Sequence, residues 1–375
     1  MNSYVMTREE KISYRLRSLY RSYGYSRYKM SKFEEYDLYV RNKSFLVSDH
    51  IITFTDHTGQ LLALKPDVTL SIVKNGRDVA GQVERIYYNE KVYRTAAPAR
   101  DFREIDQVGL ECIGALDDYC VGEVLTLAAK SLAEAGRYVK EELSESDCVL
   151  EIAHLDIVAR MLESAGVGAD AEALLNCIGE KNAHDLARMC AERGVPAEQS
   201  EALLRLVNTY GAPDEVLAVL DELAQRDAGL VAPVEELRRT LLAVPASVRP
   251  ILRLDFSLVS DMTYYNGIVF RGYVKGMPDA VLSGGRYDKL MRKLGRRSDA
   301  IGFAVYLDRL VCYASSTDEF CFDSVVWYDD TTDVGELSET VAACAELGER
   351  VVALRAPADN VLFKRQIDMR NKEGK

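Results

Sequence analysis

A helical block set inside a run of strands limits this chain to few architectures. From about residue 154 to 247 the sequence is rich in Ala, Leu and Glu, with breaks at Gly166, Gly194, Gly211 and Pro213. Short alternating apolar runs lie on both sides of it. Before the block come Ile51 to Phe54, Leu61 to Leu64, Val83 to Val92 and Val108 to Ile113; after it come Ile251 to Phe256, Gly267 to Val274 and Ala280 to Leu282. Asp56 to Gly59 has the composition of a hairpin turn, so consecutive strands are expected to pair antiparallel. An antiparallel sheet whose late strands arrive from beyond a helical insertion is an α+β design.

Other elements follow from periodicity. Thr7-x-x-Glu10 is a capping box, and Ile12, Leu16, Leu19, Tyr20 and Tyr23 share the face of the helix it starts, which Gly24 ends. Residues 117–136 read as a second helix with Val121, Val124, Leu125, Ala128 and Leu132 on one face. Gly284-Gly285 is expected to open a short helix over 287–294, whose Lys289, Arg292 and Lys293 read as a solvated face. Val325 to Trp327, a helix over 335–346 and Val351 to Ala353 spell a β-α-β unit, with a polar tail expected to fray beyond Phe363.

Composition excludes several classes. The formal charge of −12 opposes polyanions such as tRNA or DNA. The first 44 residues run against that balance, with ten Lys/Arg to five Asp/Glu and eight of the 21 tyrosines. The helical periodicity there assigns the tyrosines to packing and the arginines to solvent. Eight cysteines without a CxxC pair suit reduced thiols. Glu151-x-x-His154 reads as the polar start of a helix, and a metal site is set aside. The first residues lack the apolar stretch of a signal peptide and no run approaches a membrane span, so a cytoplasmic location is expected. A P-loop, a GxGxxG fingerprint and a GxSxG elbow are all missing, and no cofactor is expected.

Three stretches read in order narrow the choice. LALKPDVT (62–69) precedes RIYYNEKVYR…FREIDQVGLECIG (85–114), and both precede TYYNGIVF (263–270) with SGGRYDKL…AIGFAVYLDRL (283–310). Together they resemble the core of a class II aminoacyl-tRNA synthetase of the histidyl type. The resemblance implies a six-stranded antiparallel sheet flanked by helices over residues 1–320, with a helical insertion at about 166–247, in a usually dimeric protein. It places Asp67 (where the synthetase has Glu) and Thr69 against a histidine ammonium, and Gln107, Glu111, Tyr264 and Tyr265 at its other histidine contacts. Chemistry agrees, because an ammonium needs a carboxylate and a hydroxyl while an imidazole needs an acceptor and a donor at fixed positions. Gln107 and Glu111, an even number apart on a strand, share a face.

The groups that would activate histidine are depleted. The synthetase pattern R-G-L-D-Y-Y stands as Ser260-Asp261-Met262-Thr263-Tyr264-Tyr265, so an arginine is lost. F-R-x-E stands as Tyr93-Arg94-Thr95-Ala96, without its carboxylate, and G-F-A-x-G-x-E-R as Gly302-Phe303-Ala304-Val305-Tyr306-Leu307-Asp308-Arg309, with tyrosine in place of glycine. Losing one well-placed donor costs roughly 10²–10³ in rate. Arg94 and Arg309 remain as residual anion-binding candidates, and no catalytic residue is assigned. Residues 321–375 spell only one short β-α-β unit, a remnant of an anticodon-binding-like domain. These departures, with NKSFLVSDHIITFTDHTGQLLAL ahead of the L-K-P-D-x-T form, resemble the paralogous family of ATP phosphoribosyltransferase regulatory subunits. That resemblance implies a noncatalytic partner of a short-form catalytic subunit in histidine biosynthesis, a homodimer within a larger hetero-oligomer. It also implies L-histidine as ligand and feedback signal, with neither tRNA nor membrane as partner. The alternative is a histidine-activating ligase.

Overall fold

The computed structural model describes residues 6–42, 51–76, 81–96, 101–139, 144, 147–168, 171–259, 262, 264–313, 322–357 and 362–370. The chain divides into two units, Ile12–Tyr313 and Ala314–Lys375 together with Met1–Lys11. Helix α1 (Arg8–Ser22) starts on its capping box: the Glu10 amide donates to Thr7 Oγ1 (3.2 Å) and the Thr7 amide to Glu10 Oε2 (2.8 Å). Ile12, Leu16 and Tyr20 are buried along its inner face. Strand β1 (Ser26–Arg27), β2 (Phe33–Glu35), α2 (Tyr36–Val40), β3 (Thr53–Thr55), β4 (Leu61–Leu64) and α3 (Thr69–Asn75) lead to two long strands, β5 (Val83–Ala96) and β6 (Asp101–Gly114). Then come α4 (Asp118–Val139), β7 (Cys148–His154), and six helices: α5 (Leu155–Ser164), α6 (Ala171–Gly179), α7 (Ala183–Glu192), α8 (Ala197–Val207), α9 (Pro213–Arg226) and α10 (Val231–Leu242). A two-residue strand, β8 (Tyr210–Gly211), separates α8 from α9. Finally β9 (Leu252–Asp255), β10 (Ile268–Val274), β11 (Leu282–Arg286), α11 (Asp288–Lys293), β12 (Asp299–Tyr306) and α12 (Leu307–Tyr313) complete this unit.

Nine strands form one sheet in the order β1-β5-β6-β12-β11-β10-β7-β9-β8. Its centre is antiparallel, but β1 runs parallel to β5 and β7 parallel to β9, so the sheet is mixed where a wholly antiparallel one was expected. The reason is connective. Parallel neighbours need a crossover of a dozen or more residues, and the helical block is the crossover between β7 and β9. Helix α4 packs on one face, burying Val124, Leu125, Ala128 and Leu132 with α1 and the helical block; α3 and α11 cover the other with Leu70, Ile72, Leu290 and Met291. Strands β2, β4 and β3 form a separate antiparallel sheet. The hairpin between β3 and β4 turns at Gly59 (φ 88°), where Asp56 Oδ1 accepts the Thr58 amide at 2.8 Å.

Two local expectations are corrected here. Glu151 lies inside β7, and His154 both ends that strand and is the N-cap of α5, so the expected helix start holds for His154 alone; three residues apart on a strand, the two side chains project to opposite faces. Apolar Leu150, Ile152 and Ala153, all fully buried, favour the central strand. Gly284-Gly285 is part of β11 and not of a helix start, while the helix expected over 287–294 is present as α11 (Asp288–Lys293).

In the other unit, β13 (Phe322–Trp327), α13 (Val334–Glu346), β14 (Val351–Leu354) and β15 (Phe363–Asp368) form a parallel sheet in the order β14-β13-β15. The segment expected to fray is therefore a strand. Polar bonds hold it where apolar alternation is weak: Trp327 Nε1 donates to Gln366 Oε1 (2.9 Å), and Arg365 Nε to Ser324 Oγ (2.7 Å). No helix among the described residues is long and apolar enough to cross a membrane.

Candidate functional site

Strand β6 carries Gln107, Gly109 and Glu111 on one face, and the register aligns Glu111 with Gly302 of β12, which in turn faces Gly285 of β11. The missing side chains make a hollow. A Cβ at Gly302 would run into the Glu111 carboxylate, and one at Gly285 would lie 2.8 Å from the Tyr265 ring. Around this hollow stand Thr69 from the first turn of α3, Tyr88 from β5, Tyr264 and Tyr265 from the segment before β10, Ser283 from β11, Tyr287 before α11, and Tyr306 at the end of β12. The cavity is about 40 Å³, room for roughly three waters.

Glu111 is the charge-bearing group at the centre. It is 2% exposed, and accepts Thr69 Oγ1 at 3.0 Å on one oxygen and Tyr287 Oη at 2.7 Å on the other. Burial pushes its carboxyl up to about 8, against the two hydroxyl bonds that favour the ionised form, with Asp67 adding a smaller upward push. A carboxyl raised that far is mostly protonated at neutral pH. Tyr264, Tyr88 and Tyr287 are likewise driven well above the usual phenol range, chiefly by burial. The Tyr264 and Tyr265 rings meet edge to face with centroids 4.6 Å apart.

Five of the expected histidine contacts, Thr69, Gln107, Glu111, Tyr264 and Tyr265, converge on this cavity. Asp67 is buried beside it, its Oδ1 accepting the Leu70 amide at 2.9 Å, and burial raises its carboxyl while Leu70 and Arg94 pull the other way. Arg94 and Arg309 do not line the cavity. Arg94 Nε donates to the Pro66 carbonyl (2.9 Å), while Arg309 donates to the Ala280 carbonyl and lies over the Tyr306 ring, 4.6 Å from its centroid. Among the described lining residues none is Lys or Arg. Ser260 and most of NKSFLVSDH, residues 43–50, lie outside the described residues, as does the side chain of Ala96.

Sequence reasoning missed Tyr287, Tyr88 and Ser283. Tyr287 was visible in SGGRYDKL, but its partner Glu111 is 176 positions away. Tyr88 faces Gly109 across the β5–β6 pair, a large residue filling the space a glycine leaves. A larger groove of about 810 Å³ between α1 and α4 lacks such convergence, since Glu134 there is occupied by Arg137 (2.6 Å) and Arg15 (3.6 Å).

Comparison with known proteins supplies the family. The family model described as histidyl-tRNA synthetase matches residues 4–310. The ATP phosphoribosyltransferase regulatory subunit of Symbiobacterium thermophilum is 31% identical over 317 residues, 80% of this chain and 74% of that protein. A crystal structure from Bacillus halodurans, described as an ATP phosphoribosyltransferase regulatory subunit/histidyl-tRNA synthetase, has a TM-score of 0.75 at 23% identity, covering 97% of this chain and 94% of that one. A chain of the HisG:HisZ ATP phosphoribosyl transferase complex from Thermotoga maritima has a TM-score of 0.55 at 17% identity, covering 79% and 96%. These two structures share the fold; the family rests on the sequence matches. The chain belongs to the histidyl-tRNA synthetase family, in the branch of the ATP phosphoribosyltransferase regulatory subunits.

Proposed function

We propose that the chain is a noncatalytic regulatory subunit that binds L-histidine in the cavity around Glu111 and passes its occupancy to a short-form ATP phosphoribosyltransferase catalytic subunit. One observation carries the reading: the cavity is lined by hydroxyls, an amide and one buried carboxyl, without a described lysine or arginine. Such a lining suits an ammonium and an imidazole. Its described residues offer no cation to the charge that builds on a phosphate and carboxylate during adenylate formation. Tyr306 stands where the synthetase motif has glycine and carries the Arg309 guanidinium on its ring, which engages that cation. Asp67 completes the ammonium site once Leu70 shares its carboxylate. The acidic balance fits a protein that does not dock tRNA. The assembly is a homodimer within a cytoplasmic hetero-oligomer.

Binding a whole histidine requires more room than 40 Å³, so Tyr264 and Tyr265, both half-buried, move outward as it enters. That movement offers a physical route to feedback. Histidine inhibits only if it binds the low-activity assembly better than the active one, and a pocket that changes shape on filling can make that difference. Two measurements test the reading. Histidine-dependent ATP-pyrophosphate exchange is expected to be absent from the folded chain; robust exchange would return it to the ligases. Isothermal titration is expected to show histidine binding that Glu111→Ala abolishes, together with loss of feedback in the reconstituted complex; unchanged affinity and inhibition would remove the cavity from the mechanism.

A further inference from the structure

Tyr264 and Tyr265 line the cavity, and the two residues after them are tied to a side chain that also reaches the helical block. Asn266 gives its amide to the Arg286 carbonyl (2.8 Å), and its side-chain nitrogen shares Asp288 Oδ2 (3.0 Å) with Arg286 Nε (2.6 Å). Gly267, at a φ of 62°, lies under the Arg286 side chain: a Cβ there would stand 3.6 Å from Arg286 Cδ. The Gly267 carbonyl in turn accepts the Leu155 amide at the start of α5 (2.7 Å). The far end of Arg286 meets Asp299 of β12 (3.2 Å) and Glu236 of α10 (3.1 Å). Glu236 is thus a point where the crossover between β7 and β9 holds the segment that carries the two tyrosines.

Glu236 has a second partner within reach. His154, at the end of β7, is wholly buried, and neither ring nitrogen has a hydrogen-bond partner among the described residues. Buried polar groups rarely stay unpaired, because each has given up its water without a replacement. One carboxylate oxygen of Glu236 is held on Arg286, while the other, Oε2, lies 3.5 Å from His154 Nε2, beyond the ordinary length of such a bond. A swing of about half an ångström closes that gap. The carboxylate therefore has two arrangements: one on Arg286, which keeps Asn266 and Gly267 in place, and one on His154, open to it once Arg286 moves. From this we infer that Glu236 is a positioning residue for a lid, Tyr264 to Gly267, which it holds over the empty cavity through Arg286 and releases, turning to His154, when the lid swings out for a ligand. The helical block then does more than pack: it sets how readily the cavity opens. Only the binding arm of the test below rests on the reading of this cavity as the histidine site.

Hydrogen exchange followed by mass spectrometry on the full chain, without ligand, tests the inference. The Glu236 side chain is 33% exposed and Arg286 keeps Asp288 and Asp299, so E236A should keep its fold. Exchange in peptides covering 264–268 is expected to rise about three- to fivefold in E236A, the range set by losing one partly exposed ion pair. The rise should be smaller in E236Q, which keeps an acceptor, and missing in E235A, because Glu235 serves Arg238 (3.2 Å) instead. Since only the open lid admits a ligand, titration should show E236A binding histidine about three- to fivefold more tightly than wild type, through faster association; damage to packing alone would weaken binding. Equal lid exchange in E236A and wild type overturns the inference. So does faster exchange spread over α5 to α10, which would assign Glu236 to packing of the block. Faster lid exchange with weaker histidine binding overturns it as well, since Glu236 would then act in the filled state. Absence of histidine binding by wild type would remove the ligand reading of the cavity and leave lid exchange alone to decide this inference.

Discussion

Replacing Glu111 by glutamine keeps the shape and an acceptor but removes the titration. In the folded chain the carboxyl releases its proton near 8, against 4.5 for an ordinary glutamate, a difference of roughly 5 kcal/mol. Between those values the native state holds a proton that the unfolded chain has already released, so stability falls as pH rises through the window. It is full below about 4.5 and lowest above about 8. From pH 5.5 to 8.0 the linkage relation gives a loss of roughly 3 kcal/mol from this one group. The amide of E111Q has no such proton to release, so the variant's stability should change less by that amount. Urea unfolding at the two pH values measures it. The lone tryptophan, Trp327, belongs to the other unit, so the transition is followed by far-ultraviolet circular dichroism, where the helical block dominates. Equal pH dependence in wild type and E111Q, within about 0.5 kcal/mol, would refute a buried protonated carboxyl at this position.

Three further outcomes follow from the geometry. Gly302→Ala should abolish histidine binding and cost roughly 1–3 kcal/mol in unfolding, because its methyl group displaces the Glu111 carboxyl; titration and denaturation check both. Tyr287→Phe removes the 2.7 Å donor to Glu111 and should destabilise by about 1–2 kcal/mol while raising the Glu111 pKa further, visible as a titration midpoint moved to higher pH. In the other unit, Lys364 (2.8 Å) and the Arg350 amide (2.9 Å) hold Asp323 well below the usual carboxylate range. That contribution is present above the unfolded pKa and lost on acidification, so the acid transition followed by Trp327 fluorescence should fall at higher pH in Asp323→Ala than in wild type.

What the residues alone determined was what repeats locally or travels as an ordered set. The capping box of α1, the hairpin at Gly59 and the alternation of β6 are short-range patterns, readable because neighbours set them. The motif order from LALKPDVT to GFAVYLDR located Thr69, Gln107, Glu111, Tyr264 and Tyr265, all of which the fold gathers into one cavity. The tertiary structure alone decided the rest. Glu151 read as part of the helix that His154 caps, because this polar pair hid a buried central strand ahead of the cap. β15 is held by side chains of β13 that a local pattern does not contain. Tyr287 meets Glu111 only because segments far apart in sequence are brought side by side in one sheet. Periodicity records which face a residue occupies; which charges stay unpaired, and which carboxyl loses its water, is settled when those faces come together.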